Sequence, residues 1–339
     1  MNTILFIKVT SLGDVIHALP SLSDAKNAMP DFSVDWVIDQ NFQEVALWHP
    51  AVRRTIASNH REWRKKPFTS LPACIRFLKN IRQENYPLIL DGQGSLKSAA
   101  FALCAEGPLA GFDGASIREK PAHLAYTQKH SVAKNLHAIE RLRQLFAKSL
   151  GYPLPTSAPN FSIAREKLTK PSFDFLPPFL MFIPNAGWKT KLWPEVHWKE
   201  LIALAKKEGY TVLMPQGTEE EKMRAERLCL GNSKAWVLPK LSLSEIGYLL
   251  TQAHGCVSLD TGLSHLAAAL SVQSVTLYGA TDPKLIGTQG DSQKHLSLKT
   301  PCAPCHKRSC RLQPIRNEFP PRCLVEISPK EVFRALFKQ

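Results

Sequence analysis

Short apolar runs alternate along most of the chain with longer stretches whose apolar positions recur every three or four residues. In the first half the runs at 4–9, 34–38 and 88–90 predict strands. The segments 15–28, 71–82, 95–104 and 132–150 carry helical spacing. The second half repeats the alternation, with strands predicted at 179–183, 211–214, 235–237, 255–259 and 274–278. Helices fit 194–207, 219–230, 243–252 and 263–270, and a last one fits 329–337. Alternation of this kind predicts an α/β protein, with doubly wound parallel sheets covered by helices on both faces.

Residues 151–178 hold six of the 25 prolines, a density that interrupts both periodicities. The expected organisation is a first Rossmann-like domain over 1–160, a Pro-rich linker over 161–178 and a second Rossmann-like domain over 179–339. A length of 339 residues supports two cores. Two doubly wound domains are expected to face a central cleft at the carboxyl ends of their strands, where ligands bind in such folds. No stretch approaches the roughly 18 uninterrupted apolar residues of a membrane span. Met1 to Lys8 reads straight into a strand without a basic leader, so the expectation is a cytoplasmic chain.

Charge narrows the field of partners. Forty-three Lys and Arg against 29 Asp and Glu leave +14, which asks for an anionic ligand or surface. Part of the excess lies between Arg53 and Lys66, where Arg53, Arg54, Arg61, Arg64, Lys65 and Lys66 face one acid, Glu62. A run of this kind is ordinarily a solvated face, but Trp63 sits inside it. Residues 292–339 hold 10 basic against 3 acidic side chains, the second concentration.

Two strand ends carry candidate chemistry. The first is Lys8-Val9-Thr10-Ser11-Leu12-Gly13-Asp14-Val15-Ile16-His17, a strand, a turn and a helix start suited to an anion. Asp14 is open to two readings, a helix cap or a catalytic carboxylate. The second is Ser258-Leu259-Asp260-Thr261-Gly262-Leu263-Ser264-His265, another helix start with a hydroxyl, a glycine and an imidazole. It reads equally as a capped helix and as a holder of phosphate oxygens. Gly-x-Gly-x-x-Gly is absent after the first strand, which disfavours a dinucleotide oxidoreductase, and no Walker lysine motif is present.

In order along the chain, the Lys8-to-Pro20 segment, Asp35-Trp36-Val37, Asp91-Gly92-Gln93-Gly94, Trp193-Pro194-Glu195-Val196-His197-Trp198, Asp260-Thr261-Gly262-Leu263-Ser264-His265 and Tyr278-Gly279-Ala280-Thr281-Asp282-Pro283 resemble the bacterial ADP-heptose:lipopolysaccharide heptosyltransferases. Arg61-Glu62-Trp63-Arg64-Lys65 and His137-Ala138-Ile139-Glu140-Arg141 are most similar to the heptosyltransferase I branch. The resemblance implies a GT-B fold and metal-independent, inverting transfer of heptose from ADP-heptose to a Kdo sugar of Kdo2-lipid A, with no cofactor required. A heptosyltransferase II or III acting on a heptosylated core is the alternative within the family. The resemblance also places the protein peripherally on the cytoplasmic face of an inner membrane.

Residue by residue, the resemblance matches Asp14 to the base that deprotonates the acceptor hydroxyl and Lys191 to the cation on the departing diphosphate. Lys189 is the alternative one register away. Ala186, Gly187, Thr261, Gly262 and His265 match donor phosphate positions, and Asp260 matches a heptose contact. Glu221 matches a ribose carboxylate, although three consecutive glutamates also suit a first helical turn. Leu241 matches an adenine cover. Asn185-Ala186-Gly187 departs from the hydroxyl residues of the branch, leaving phosphate contact there to backbone N–H groups. Arg61, Arg64, Lys65, Arg118 and His137 match acceptor-binding positions, where arginine forks suit carboxylates and phosphates.

The eight cysteines divide evenly. Cys74, Cys104, Cys229 and Cys256 lie singly in apolar surroundings and read as small core residues. Cys302, Cys305, Cys310 and Cys323 cluster among Lys307, Arg308, Arg311, Arg316 and Arg322. Their spacing admits tetrahedral zinc, reduced structural thiols or redox chemistry. A basic nucleic-acid-binding protein would also explain the charge, but Phe319 is the only aromatic residue between Cys302 and Cys323. No nucleic acid is therefore expected as partner.

Overall fold

A computed structural model describes residues 2–175, 178–298, 300–310 and 321–337. Pro177 of the predicted linker and Arg311, Arg316 and Phe319 of the tail lie outside the described residues. The chain divides into two compact units, Met1–Ala164 and Arg165–Gln339.

The first unit is built on six parallel strands: β1 (Asn2–Ile7), β2 (Phe32–Asp39), β3 (Val52–Ser58), β4 (Ile89–Asp91), β5 (Leu109–Phe112) and β6 (Gln128–His130). They lie in the order β3-β2-β1-β4-β5-β6. Its helices are α1 (Leu12–Ala28), α2 (Gln43–Leu47), α3 (His60–Lys65), α4 (Leu71–Ile81), α5 (Leu96–Ala102) and α6 (Ala138–Leu150). β1 and β2 are buried along nearly their whole described length, as central parallel strands covered on both faces must be. Helix α1 packs on α6, where Arg143 grips Asp24 at 2.6 Å inside the interface.

The second unit alternates strand and helix through β12 and ends on two helices: β7 (Phe179–Ile183), α7 (Glu195–Lys207), β8 (Thr211–Met214), α8 (Glu219–Cys229), β9 (Ala235–Val237), α9 (Leu243–Gln252), β10 (Gly255–Leu259), α10 (Gly262–Ala269), β11 (Ser274–Tyr278), α11 (Pro283–Ile286), β12 (Gln293–Ser297), α12 (Arg322–Val325) and α13 (Pro329–Phe337). Its parallel sheet runs β12-β11-β10-β7-β8-β9, the same winding as the first when each is counted from its own first strand. The core joins Phe182, Trp193 and Trp198 to Leu324, Ile327, Val332 and Leu336, so the C-terminal helices belong to this unit's interior.

Several elements depart from the periodicity. β3 was not predicted because Arg53 and Arg54 break its apolar run. In the fold their charges are met by Asp35 at 2.6 Å each and by Glu84. β5 and β6 are short, and β12 is a half-buried edge strand with polar residues, so none carries a continuous apolar signal. The helix expected over 132–150 begins only at Ala138, since His137 caps it by accepting the N–H of Ile139 at 3.2 Å. Of the four cysteines read as core residues only Cys256 is buried. Cys74, Cys104 and Cys229 are half-buried near helix ends or outer faces, where a local apolar neighbourhood does not ensure burial.

Each sheet reverses its winding beside its first strand, between β1 and β4 in one unit and between β7 and β10 in the other. At such switch points the connecting loops diverge and leave a crevice at the carboxyl ends of the strands. Both candidate motifs fall there.

Candidate active site

In the first unit the turn after β1 is held from the neighbouring strand. Gln93, just after β4, accepts the N–H groups of Val9 and Thr10 at 3.0 and 3.3 Å. Gln93 is placed in turn by Asp91, whose carboxylate accepts the N–H groups of Gln93 and Gly94 and the hydroxyl of Tyr126 at 2.7 Å. Burial raises the Asp91 pKa, against these hydrogen bonds. Gly92 has no room for a side chain, because a Cβ would lie 2.7 Å from the Phe6 ring.

The turn presents Asp14 in the first turn of α1. Its Oδ2 accepts the Ser11 N–H at 2.7 Å and the Ser11 hydroxyl at 3.0 Å, so it caps the helix. Its Oδ1 pairs with Lys8 Nζ at 3.2 Å, and the side chain keeps 36% of its surface exposed. Desolvation pushes the carboxyl pKa up, but the Lys8 charge and the Ser11 bonds outweigh it and leave it below the ordinary value. Asp14 is thus cap and accessible carboxylate together. Lys8 opens the quoted motif, but its pairing with Asp14 across the turn was not read from the sequence.

The basic run divides in space. Arg53 and Arg54 turn onto Asp35 and Glu84 and support the sheet edge. Arg61, Arg64 and Lys65 lie exposed on α3, which Trp63 anchors by an edge-on contact with Phe77 at 5.1 Å. Arg61 reaches toward buried Asp39 at 3.8 Å, and His60 lies 4.0 Å from the same carboxylate. Lys97, from α5, contacts His60 Nε2 at 2.9 Å. Burial and then the Arg61 charge lower the Lys97 pKa, with Arg118 adding to the effect. Arg61 and Arg118 therefore surround a lysine that sequence reading missed, since a lone Lys in a helix carries no signal. His137 is buried, with its ring 5.6 Å from that of His17. Burial and then the Lys97 charge lower the His60 pKa, with Arg61 and Arg64 adding to the effect, so Arg64 reaches this cluster through its charge.

In the second unit the loops after β7 and β10 meet. Lys191 Nζ lies 2.6 Å from Asp260 Oδ2 and 4.8 Å above the Trp188 ring. Asp260 is 4% exposed. It also accepts the Thr281 hydroxyl at 2.5 Å and lies 3.7 Å from His265 Nε2. Burial opposes its charge, but the His265 hydrogen bond and Lys191 overcome that and hold the carboxyl far below its ordinary range. Thr261 is the N-cap of α10, whose first turn contains Gly262 and precedes buried His265. Of the two lysine registers, Lys191 joins this cluster while Lys189 is exposed. Thr281 and Trp188 were missed; the first lay inside a quoted motif, but its partner lies on another strand's loop.

The remaining donor candidates lie on other loops of the same unit. Ala186 and Gly187 form the loop after β7, with open space around Gly187. Glu221 caps α8, one carboxylate oxygen accepting the N–H groups of Gly217 and Thr218 at 2.9 and 3.1 Å. Asn185 Nδ2 donates to the Glu221 carbonyl at 3.3 Å and ties the two loops. Leu241 is half-buried just before α9.

Cys302, Cys305, Cys310 and Cys323 line one cavity of about 720 Å³ in this unit. Burial pushes the Cys323 thiol up to about 11, and the other three act in the same direction. Among the described residues no group of three or more His, Cys, Asp or Glu stands placed to hold a metal ion.

A carboxylate after β1 in one unit and a lysine beside a helix start after β10 in the other, on two identically wound sheets, define the class of two-domain GT-B glycosyltransferases. The model of glycosyltransferase family 9 (heptosyltransferase) matches residues 74–316. Lipopolysaccharide heptosyltransferase 1 of Pseudomonas aeruginosa is 42% identical over 340 residues, covering 97% of this chain and 95% of that protein. The Escherichia coli heptosyltransferase WaaC solved with ADP superposes with a TM-score of 0.81 at 40% identity, covering 86% of this chain and 92% of that one. Its structure with ADP-2-deoxy-2-fluoro heptose gives 0.79 at 38% identity, covering 87% and 92%. The chain belongs to glycosyltransferase family 9, the heptosyltransferases.

Proposed function

We propose that the protein is a lipopolysaccharide heptosyltransferase I, transferring heptose from ADP-heptose to a Kdo residue of Kdo2-lipid A with inversion at the anomeric carbon. The observation that carries this reading is Lys191 resting on Asp260 at the start of α10. A diphosphate arriving there meets the lysine, the Thr261 and Gly262 backbone and the positive end of the helix. Heptose hydroxyls suit the buried Asp260 carboxylate, which would repel phosphate and so faces the sugar. As the glycosidic bond breaks, charge grows on the departing ADP, and Lys191 stabilises that charge more than the ground state.

Asp14 takes the acceptor proton. Its lowered pKa makes it a weak base, but it is ionised at neutral pH. A weak base suffices when the acceptor hydroxyl loses its proton late, after its oxygen has begun to bond to a cationic sugar carbon. Arg61, Lys97 and Arg118 supply the positive charge that an acceptor with carboxylates and phosphates requires. Glu221 keeps one oxygen clear of the cap for the ribose, and Leu241 offers an apolar cover for adenine. None of these steps calls on a divalent ion, so transfer is expected to persist in EDTA.

The test offers ADP-heptose with Kdo2-lipid A and, separately, with its monoheptosylated product. Transfer to the first acceptor is expected. Transfer to the heptosylated acceptor alone would reassign the chain to a second or third heptosyltransferase, and transfer to neither would overturn the reading.

A further inference from the structure

We propose that Arg308 is a second cation for the diphosphate of the sugar nucleotide, acting beside Lys191. The assignment rests on the donor site proposed above, with Lys191 as its phosphate lysine. Arg308 lies 5.4 Å over the Trp188 ring, and Lys191 Nζ lies 4.8 Å over the same ring. The two charges therefore stand about one Debye length apart or closer. Trp188 belongs to the loop after β7, whereas Arg308 comes from the C-terminal tail.

Two hydrogen bonds bring the tail backbone to that loop. The Thr190 hydroxyl, next to Lys191, donates to the Lys307 carbonyl at 2.6 Å. The His306 N–H donates to the Ala280 carbonyl at 2.7 Å, one residue before the Thr281 that bonds Asp260. The two residues preceding Arg308 are thus pinned to the loop of Lys191 and to the loop that holds Asp260. His306 has φ 54°, a left-handed conformation that is costly for a residue with a Cβ, and these bonds maintain it. Lys307 lines the thiol cavity, while Arg308 is exposed and lies over Trp188.

Charge supplies an independent argument. Lys191 Nζ is 2.6 Å from Asp260 Oδ2, so much of its charge is already cancelled inside the protein. Ala186 and Gly187, just before Trp188, bring no side-chain donor to the loop. A diphosphate arriving there needs a cation that is not already paired. Among the described residues no carboxylate lies within ion-pair distance of Arg308. A guanidinium lying over an indole keeps its edge free to fork onto two phosphate oxygens. As the anomeric C–O bond breaks, its electron pair stays on the terminal phosphate oxygen and the diphosphate gains a full negative charge. The acceptor oxygen bonds to the anomeric carbon and gives its proton to Asp14. Arg308 and Lys191 together meet the charge growing on the departing group. Part of the basic excess of residues 292–339 thereby gains a role.

Isothermal titration calorimetry of the full-length chain with ADP, and separately with adenosine, tests the assignment. Arg308→Ala should weaken ADP binding roughly tenfold and leave adenosine binding unchanged. Lys307→Ala, on the cavity side, should bind ADP as the wild type does. In turnover, Arg308→Ala should raise the ADP-heptose KM and lower kcat while the acceptor KM stays at its wild-type value. Unchanged ADP affinity in Arg308→Ala overturns the inference. An equal loss in Lys307→Ala also overturns it, because the effect would then belong to the summed charge of the tail. An equal loss of adenosine affinity does the same, because the variant would then have distorted the site. A wild-type chain that binds ADP no better than adenosine overturns the donor site itself, and the functional reading falls with it. Tight ADP binding that is indifferent to Arg308 removes this inference alone.

Discussion

Asp14 and Asp260 illustrate how a single residue serves two demands. Asp14 closes a capping box with Ser11 and still directs its other oxygen to Lys8. Cap and base are therefore not competing assignments, although the sequence presents them so. Asp14→Asn keeps the shape and removes the proposed base, so kcat should fall roughly 10²- to 10⁴-fold. Binding of ADP-heptose, measured by calorimetry, should change little. Because the Asp14 pKa is lowered, this group should impose no acidic limb on kcat/KM above about pH 5. Asp260 carries a different signature. Its folded pKa is depressed, so its stabilisation is present above the ordinary carboxylate value near 4. That stabilisation is lost as pH falls from there through the lower folded value. Asp260→Asn should remove about 2 kcal/mol at neutral pH and flatten the acid limb of a denaturant-unfolding series.

At the scale of elements, loops after non-adjacent strands hold one another. Gly92 sits where any Cβ meets Phe6, so Gly92→Ala should cost about 1–3 kcal/mol in urea unfolding by displacing the turn that holds Gln93. Helix α3 and α5 together build the basic cluster, although only α3 announced itself by charge. Lys97→Ala and Arg61→Ala should each raise the acceptor KM several-fold and leave the donor KM near its wild-type value, because both belong to the first unit and the donor candidates to the second. Equal rises in both constants would remove the acceptor role. Alternation and strand ends were legible because they are local. β3, β5, β6 and β12 were not, because their apolar runs are short or interrupted by charges that only the neighbouring strand or helix end neutralises.

The proposed acceptor carries a lipid, yet no helix among the described residues is long and apolar enough to cross a bilayer. The proposed peripheral contact with that bilayer would fall on the first unit. Phe68 is 93% exposed, and Leu71 and Ile75 are exposed one turn apart on α4, shortly after Arg64, Lys65 and Lys66 in the sequence. Apolar residues flanked by cations are the composition of an interfacial anchor on an anionic membrane. Sedimentation with anionic vesicles should capture the wild-type chain at low salt, and Phe68→Ser with Leu71→Ser should reduce the bound fraction. Turnover of a water-soluble acceptor fragment should be unaffected. Equal capture of the variant would place the membrane contact elsewhere.

The sequence by itself determined the two parallel α/β units and the helix starts that carry Asp14 and Asp260. Strand and helix periodicity, turn glycines and cap residues are encoded within a few residues of where they act. Only the tertiary structure placed Lys191 rather than Lys189 at Asp260, paired Arg53 and Arg54 with Asp35, brought Lys97 to Arg61 and set the four tail cysteines around one cavity. Those choices depend on strand order, which sets residues such as Lys191 and Asp260 side by side across 69 positions of sequence. Local patterning says which face of an element is buried; the winding of the sheet decides which loop ends meet.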